Sequence, residues 1–235
     1  MKEIRLAHLY PKHLNIYGDI GNIIAIQRRC EWRGNIKLTV SEINIGDDIK
    51  EHDIYFIGGG QDSQQVEVSN ELIKHKDFLT KERDRGAVFL GICGGYQLMG
   101  HYYQPHQGER LEGISLLDAY SVAGKNRFIG NVTAKANFIT PNTLVGFENH
   151  SGLTYLNGDT LPLSTVIVGN GNNGVDKTEG ARYKNVFGTY LHGSFLPKNP
   201  HFVDYMLELI IGEKLLPIDD EIELNAHNAL VNKPY

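Results

Sequence analysis

The chain has 235 residues, 41% of them hydrophobic and 22% charged, with a formal net charge of −5. This is ordinary globular composition, and the length predicts one domain with a sizeable core. No Lys/Arg-rich run suggests nucleic-acid binding, no stretch approaches the roughly 18 apolar residues of a membrane span, and two cysteines, Cys30 and Cys93, are too few for a disulfide framework.

The first half of the chain alternates strand-like and helix-like segments. In chain order, the predicted elements are a strand at 4–8, a helix opening at Gly18 and Asp19 and ending at Gly34, strands at 37–43 and 53–57, a helix from Ser69 or Asn70 to about Asp84, and a strand at 87–92. The last segment, AVFLGI, is almost continuously apolar, as expected for the buried centre of a parallel sheet. The alternation predicts an α/β fold with a central, mostly parallel sheet flanked by helices.

The second half is richer in Gly, Asn and Thr. Its predicted elements are strands at 130–136, 143–147, 164–168 and 186–191, a loop at 168–177 and a helix at 201–211. We predict a single domain over 1–235, with a core at about 4–211 and an unassigned tail at 212–235. Asp19 is predicted to be a helix N-cap, and Cys30 to be a core residue on the apolar stripe of its helix.

The segment LGICGGYQLMG, residues 90–100, places a cysteine where an apolar strand meets a helix. Two glycines follow Cys93 directly, which is typical of a nucleophile elbow, a tight strand–turn–helix reversal. The helix N-terminus is expected to favour the thiolate, and the Gly94 N–H can point at a developing oxyanion. Most strand cysteines are simply buried small residues, but packing alone does not require two glycines after the cysteine.

A cysteine nucleophile needs a general base, and His192 in FGTYLHGSFL is the best-placed histidine because it follows a predicted strand. Alone it would more often be a core or surface residue, but its order and context relative to Cys93 favour catalysis. Three glycines, Gly58–Gly60, follow another strand and can turn N–H groups toward a ligand. No Walker pattern and no Cys/His cluster is present, so neither a cofactor nor a metal is predicted.

The cysteine segment resembles the nucleophile motif of class I glutamine amidotransferases, G-[I/V]-C-x-G-x-Q-x-[L/M], and Gly188, Leu191 and His192 fit that family's histidine segment. The resemblance implies a flavodoxin-like fold and hydrolysis of L-glutamine through a thioester on Cys93. It also implies a second oxyanion donor at Gly59 or Gly60. The family's glutamate two residues after the histidine is Ser194 here. The site is therefore either a Cys–His dyad, or another group, from this chain or from a partner, orients the histidine.

Further segments narrow the resemblance: NIYGDIGN (15–22), GGGQDSQQ (58–65), GFENHSG (146–152) and GNGNN (169–173). Together they resemble the glutaminase subunits of lipid II isoglutaminyl synthases, relatives of the cobyric-acid-synthase type. The resemblance implies that ammonia passes to a MurT-like, ATP-dependent Mur-ligase subunit, which amidates D-glutamate in the lipid II stem peptide to D-isoglutamine. It further implies that Arg127 holds the α-carboxylate of glutamine. The charged N-terminus predicts no signal peptide, and we expect a cytoplasmic protein.

Two other functions stay open at this point. One is a stand-alone cysteine amidase or γ-glutamyl hydrolase that works without a partner, which substrate scope would separate from an amidotransferase subunit. The other is a degenerate, non-catalytic amidotransferase subunit, which the absent glutamate suggests and the retained Cys93 and His192 oppose.

Overall fold

A computed structural model describes residues 1–232 of the chain, apart from the side chain of Tyr17. The strands are β1 (Lys2–Leu9), β2 (Ile36–Ile43), β3 (Ile54–Ile57), β4 (Val88–Ile92), β5 (Tyr102–Gln104), β6 (Leu111–Glu112), β7 (Ala119–Lys135), β8 (Thr143–Leu156), β9 (Ser164–Val168), β10 (Thr178–Glu179), β11 (Ala181–Tyr183) and β12 (Val186–Thr189). The helices are α1 (Ile20–Arg33), α2 (Asp62–Leu72), α3 (Lys76–Arg85), α4 (Gly94–Met99), α5 (Phe195–Lys198), α6 (Pro200–Ile211) and α7 (Glu221–Val231), with 3₁₀ turns at Ile16–Gly18 and Ile73–His75.

The first sheet has the order β11-β12-β4-β3-β1-β2 and is parallel except for β11. Its central strands β3 and β4 are buried along their whole length. Strands sheltered on both faces need apolar side chains throughout, which is why they were readable as continuous apolar runs. The predicted mostly parallel central sheet is confirmed, and its predicted strands agree with the observed ones to within two residues.

One helix prediction is wrong, and another is confirmed only in part. The second helix starts at Asp62 and not at Ser69 or Asn70, because Gln61 and Gln64 form a capping box that the Ser/Asn rule overlooks. Asp19 occupies the N-cap position of α1, as predicted, but its side chain makes no capping bond with the helix. The Ile20 N–H instead donates to Asn15 Oδ1 at 2.9 Å. Cys30 is buried in the core, as predicted.

The second sheet runs β10-β9-β7-β5-β6, with β8 paired to β7. Strands β7 and β8 form a hairpin of 17- and 14-residue strands, so the strands predicted at 130–136 and 143–147 are only parts of them. The register shifts between Ala123 and Phe128, and this irregularity contains Arg127. The predicted loop after Val168 is confirmed between β9 and β10.

The two sheets share one cluster of buried apolar side chains. They also meet through backbone pairing, because His192, just beyond β12, forms an antiparallel bridge with Phe147 of β8. The His192 N–H donates to Phe147 O at 2.9 Å, and the Phe147 N–H donates back at 3.3 Å. The second sheet therefore holds in place the segment that follows β12 of the first sheet.

The tail contains α7, and the segment that leads into α7 is held by a buried ion pair. Arg29 of α1 is 2% exposed and donates to both Asp204 of α6 and Asp220, which precedes α7. Residues 233–235 of the tail lie outside the described residues, and the single-domain prediction stays a prediction. Among the residues described, no helix has both the length and the apolar character needed to cross a membrane.

The glycines of the cysteine segment let α4 pass unusually close to β3. A Cβ on Gly95 would lie 2.3 Å from the carbonyl oxygen of Ile57, and the Gly95 N–H donates to Gly58 O at 3.1 Å. Backbone atoms at such a distance cannot move aside as a flexible side chain can.

We therefore expect Gly95→Ala to lower the free energy of unfolding by about 1–3 kcal/mol, as overpacking of a close-packed interior does. Denaturant unfolding followed by circular dichroism measures the change. Gly130→Ala is the matched control, since nothing lies within 4 Å of a Cβ there. Equal stability of the two variants would contradict the packing argument.

Candidate active site

Three loops meet at the carboxyl edge of the first sheet. Strand β3 continues into Gly58–Gly60, β4 into Cys93, and β12 toward His192. The pairs Ile57↔Gly91 and Thr189↔Ile92 set these three strand ends level with one another. Ligands of open α/β sheets bind at this edge, so the predicted residues meet where a site is expected.

Cys93 occupies a strained turn between β4 and α4. Its φ is +51° and its ψ −104°, a conformation that costs a residue other than glycine about 1–3 kcal/mol. The turn is held on both sides, because the Cys93 N–H donates to Thr189 O at 2.9 Å and Cys93 O accepts from the Gln97 N–H at 3.0 Å. This is the geometry of the predicted nucleophile elbow.

The surroundings of Cys93 oppose the thiolate that its helix N-terminus was expected to favour. Burial raises the Cys93 pKa to about 12, and the negative charge of Asp19 acts in the same direction. The Gly94 N–H and the Arg127 charge lower the pKa but do not outweigh burial. Helix α4 has six residues and therefore a small dipole, so desolvation decides. The resting form of the Cys93 side chain is therefore the thiol.

His192 lies beside Cys93 across the glycine loop. A Cβ on Gly59 would be 3.3 Å from Cys93 Cβ and 3.2 Å from His192 Cε1, so Gly59 is wedged between the two side chains. His192 is 1% exposed, and the cavity in front of Cys93 is not lined by it. The structure thus brings the predicted pair together with the imidazole behind the nucleophile.

The groups around His192 disfavour its cationic form. The His192 pKa is lowered to about 3, chiefly by burial, with smaller contributions from His150, Arg127 and Lys198. Ser194, which occupies the place of the family glutamate, uses its hydroxyl to donate to Gly18 O at 2.5 Å. Ser194 thus donates its only hydroxyl proton to the segment before α1.

The three predicted oxyanion glycines differ in what their N–H groups do. The Gly59 N–H donates to Asp19 Oδ2 at 2.6 Å, so it is already committed. The Gly60 N–H makes no hydrogen bond within residues 1–232, and its nitrogen lies 3.2 Å from where a Gly94 Cβ would be. The Gly94 N–H favours the thiolate of Cys93. Gly60 and Gly94 thus remain as candidate donors.

A polar cavity of about 550 Å³ opens in front of the cysteine. Arg127 lines it, as does Asp62 at the start of α2. The Arg127 guanidinium is fixed by Asn149 of β8, to whose Oδ1 it donates at 2.6 Å and to whose carbonyl at 3.3 Å. The arginine predicted from resemblance therefore lies at the cavity that contains Cys93.

Two further cavity residues were not assigned a role from the sequence. His150 is 3% exposed and stacks on the Tyr190 ring with centroids 3.6 Å apart, and burial lowers its pKa to about 4. Gln97 donates to the Tyr190 hydroxyl at 3.1 Å, while its Oε1 is buried with no hydrogen-bond partner in the described part of the chain. Both occur in the quoted motifs, but neither spacing nor composition shows what they contact.

No group of three or more His, Cys, Asp or Glu side chains within residues 1–232 could hold a metal ion.

Comparison with known proteins agrees with this arrangement. Residues 5–200 match the CobB/CobQ-like glutamine amidotransferase domain, and the chain belongs to this family. Within it, the chain is 44% identical over 240 residues to the GatD subunit of the glutamine-hydrolysing lipid II isoglutaminyl synthase of Staphylococcus aureus N315, covering 99% of this chain and 97% of that protein. It is 37% identical over 234 residues to the GatD subunit of Streptococcus pneumoniae R6, covering 98% and 88%.

More distant relatives share the fold. A cobyric acid synthase of Clostridium botulinum strain Kyoto is 37% identical over 123 residues, 49% of this chain and 25% of that protein. The crystal structure of a glutamine amidotransferase superposes with a TM-score of 0.62 at 13% identity, covering 87% and 98% of the two chains. A glutamine amidotransferase from Thermotoga maritima gives 0.56 at 17% identity, covering 97% and 96%.

The raised Cys93 pKa predicts slow alkylation of the chain on its own. Because only the thiolate reacts, Cys93 should react with iodoacetamide at least about 100-fold more slowly than free cysteine at pH 7.5, and faster at each step up to pH 10. Peptide mass spectrometry distinguishes it from Cys30, with Cys93→Ser as control. A rate that is high and constant from pH 7 upward would show that burial does not govern this thiol.

Proposed function

We propose that this chain is the glutaminase subunit of a lipid II isoglutaminyl synthase and hydrolyses L-glutamine through Cys93 and His192. The observation that carries the proposal is the strained Cys93 elbow at the cavity, with His192 against it across Gly59. The chain is similar over nearly its full length to two GatD subunits, and this supports a lipid II isoglutaminyl synthase over other amidotransferases.

We propose that these residues carry out thioester chemistry in two stages. Cys93 Sγ attacks the glutamine Cδ as its proton passes to His192, and the C–N bond then breaks while His192 returns that proton to the departing nitrogen, releasing ammonia. Water next attacks the thioester and gives a proton to His192, which passes it to Sγ as the C–S bond breaks and glutamate leaves. The oxyanion of both tetrahedral intermediates would accept from Gly60 and Gly94 N–H groups.

The charges of the cavity suit the head group of a free amino acid. Among its described lining residues, Arg127 is the cation and Asp62 the carboxylate. A guanidinium grips a carboxylate through two parallel hydrogen bonds, which suits the α-carboxylate of glutamine, and Asp62 offers an acceptor for the α-ammonium group. A γ-glutamyl residue inside a γ-linked chain keeps its α-carboxylate for Arg127, but its α-nitrogen is an amide and would lose the ionic contact with Asp62.

The pKa directions bear on how the site is activated. A thiol with a pKa of about 12 and an imidazole with a pKa of about 3 exchange a proton unfavourably. An acceptor that stabilises the His192 imidazolium would raise the second pKa and accelerate the first step. Since Ser194 is engaged elsewhere, we propose that this group comes from another part of the chain or from a partner subunit.

The partner we propose is a MurT-like, ATP-dependent Mur-ligase subunit. It would receive the ammonia and amidate D-glutamate of the lipid II stem peptide to D-isoglutamine. The reaction needs a reduced Cys93, which the reducing cytoplasm maintains, and both cysteines of this chain are free.

The decisive measurement is glutamate release from L-glutamine by the chain alone and with the Mur-ligase-like partner. We expect weak hydrolysis alone and stronger hydrolysis in the complex, abolished by Cys93→Ala and reduced at least about 1,000-fold by His192→Ala. Cys30→Ala is the matched control, because that thiol is also buried but lies on α1 in the core.

The outcomes separate the alternatives. Equal hydrolysis with and without partner, extending to glutamyl peptides, would favour a stand-alone hydrolase. No hydrolysis in either case, with Cys93 as slow to alkylate in the complex as alone, would favour a non-catalytic subunit.

Arg127 provides a second test of the same site. We expect Arg127→Lys to raise KM for glutamine about 10-fold or more with a smaller change in kcat, since lysine cannot form the bidentate contact. Lys135, an exposed cation farther along β7, offers the control Lys135→Ala. A loss confined to kcat, with KM unchanged, would remove Arg127 from substrate binding.

A further inference from the structure

Asp19 is a buried carboxyl group that the thioester chemistry does not use. It is 0% exposed, and burial raises its pKa to about 7. Its Oδ2 accepts from Gly59 N at 2.6 Å, and its Oδ1 is buried with no hydrogen-bond partner in residues 1–232. Burying a carboxyl group with one oxygen that lacks a hydrogen-bond partner is unfavourable. The hydrogen bond that its other oxygen accepts from the Gly59 N–H therefore needs an explanation.

That bond ends at the residue between the nucleophile and the base. A Cβ on Gly59 would touch both Cys93 and His192, at 3.3 and 3.2 Å. A shift of the Gly59 backbone would therefore change the gap between these two side chains directly. Asp19 lies 40 residues earlier in the chain, so the contact is tertiary and was not formed to cap α1.

The other polar groups of the glycine loop are committed as well. The loop carbonyls accept three bonds: Gly95 N–H to Gly58 O at 3.1 Å, Ile16 N–H to Gly59 O at 3.2 Å, and Gln65 Nε2 to Gly60 O at 3.2 Å. With Asp19 holding the Gly59 N–H, the Gly60 N–H is left over, beside Gly94 and at the cavity. The Gly60 N–H is thus available as a donor beside Gly94 at the cavity.

We propose that Asp19 is a positioning residue for the glutaminase reaction, which anchors Gly59 so that the Gly60 N–H joins the Gly94 N–H in stabilising the oxyanion at the glutamine Cδ. This inference rests on the proposed function. Asp19 touches neither substrate nor sulfur in this account, and it acts through the peptide unit that it holds.

The carboxylate has a second, opposing effect, which makes the two roles separable. Its negative charge raises the pKa of Cys93, as noted above. Asparagine keeps an oxygen that can accept the Gly59 N–H but carries no charge. Alanine removes both the acceptor and the charge.

We would measure kcat and KM for glutamine with the complex of the full chain and its partner, using Asp19→Ala and Asp19→Asn. Asp19→Ala should lower kcat about 100-fold with KM changed less than about threefold, the size of effect expected for a lost oxyanion donor. Asp19→Asn should retain kcat to within about fivefold. Its Cys93 should alkylate faster than wild type at pH 8, because the buried negative charge is gone.

Asp53→Asn is the matched control, since its Oδ2 also accepts one backbone N–H, that of Arg5 at 2.7 Å, away from the cavity. Should Asp19→Ala not fold, as judged by its thermal unfolding, Asp19→Leu replaces it and keeps the branched shape without an acceptor. An alanine or leucine variant within threefold of wild-type kcat would overturn the proposal, and so would an asparagine variant as impaired as alanine. A wild-type complex without glutaminase activity would instead refute the proposed function.

Discussion

The parallel pairing of β3, β4 and β12 is the constraint on which the site depends. Adjacent parallel strands end at the same edge of a sheet, so the segments that follow them emerge side by side. Through this pairing the glycine loop, Cys93 and His192 meet although they lie far apart in sequence. Helix α4 can pass close over the Ile57 carbonyl because Gly95 has no side chain.

The second sheet supplies further residues to the cavity and holds His192 in place. Its long hairpin, β7 and β8, brings Arg127 and Asn149 to the cavity, and its bridge from Phe147 fixes His192. The proposed nucleophile thus belongs to the parallel sheet, the proposed substrate clamp to the antiparallel sheet, and the proposed base to the junction between them. Burial at this junction explains why both the thiol and the imidazole are held neutral in the resting chain.

The sequence allowed the parallel sheet and the Cys93–His192 pair to be predicted because strand ends carry local signals: an apolar run, then glycine or a reactive side chain. Arg127 came only from resemblance, since a register shift within a hairpin leaves no periodic pattern. Asp19 holds the predicted N-cap position, but its side chain bonds a loop 40 residues away, and nothing local in the sequence reveals that contact. The direction of the Cys93 pKa was missed because the sequence displays a helix start but not its burial.

The bridge between Phe147 and His192 has a consequence for how the molecule opens. Local unfolding of a protein proceeds in contiguous cooperative units, and a backbone bridge across two sheets ties their opening together. If β8 frayed from β7, the His192 N–H would lose its acceptor at Phe147 O, and the imidazole would lose its place beside Gly59. Amide hydrogen exchange at His192 would then report on the integrity of both sheets, and a chain with a partly opened hairpin would be an inactive one.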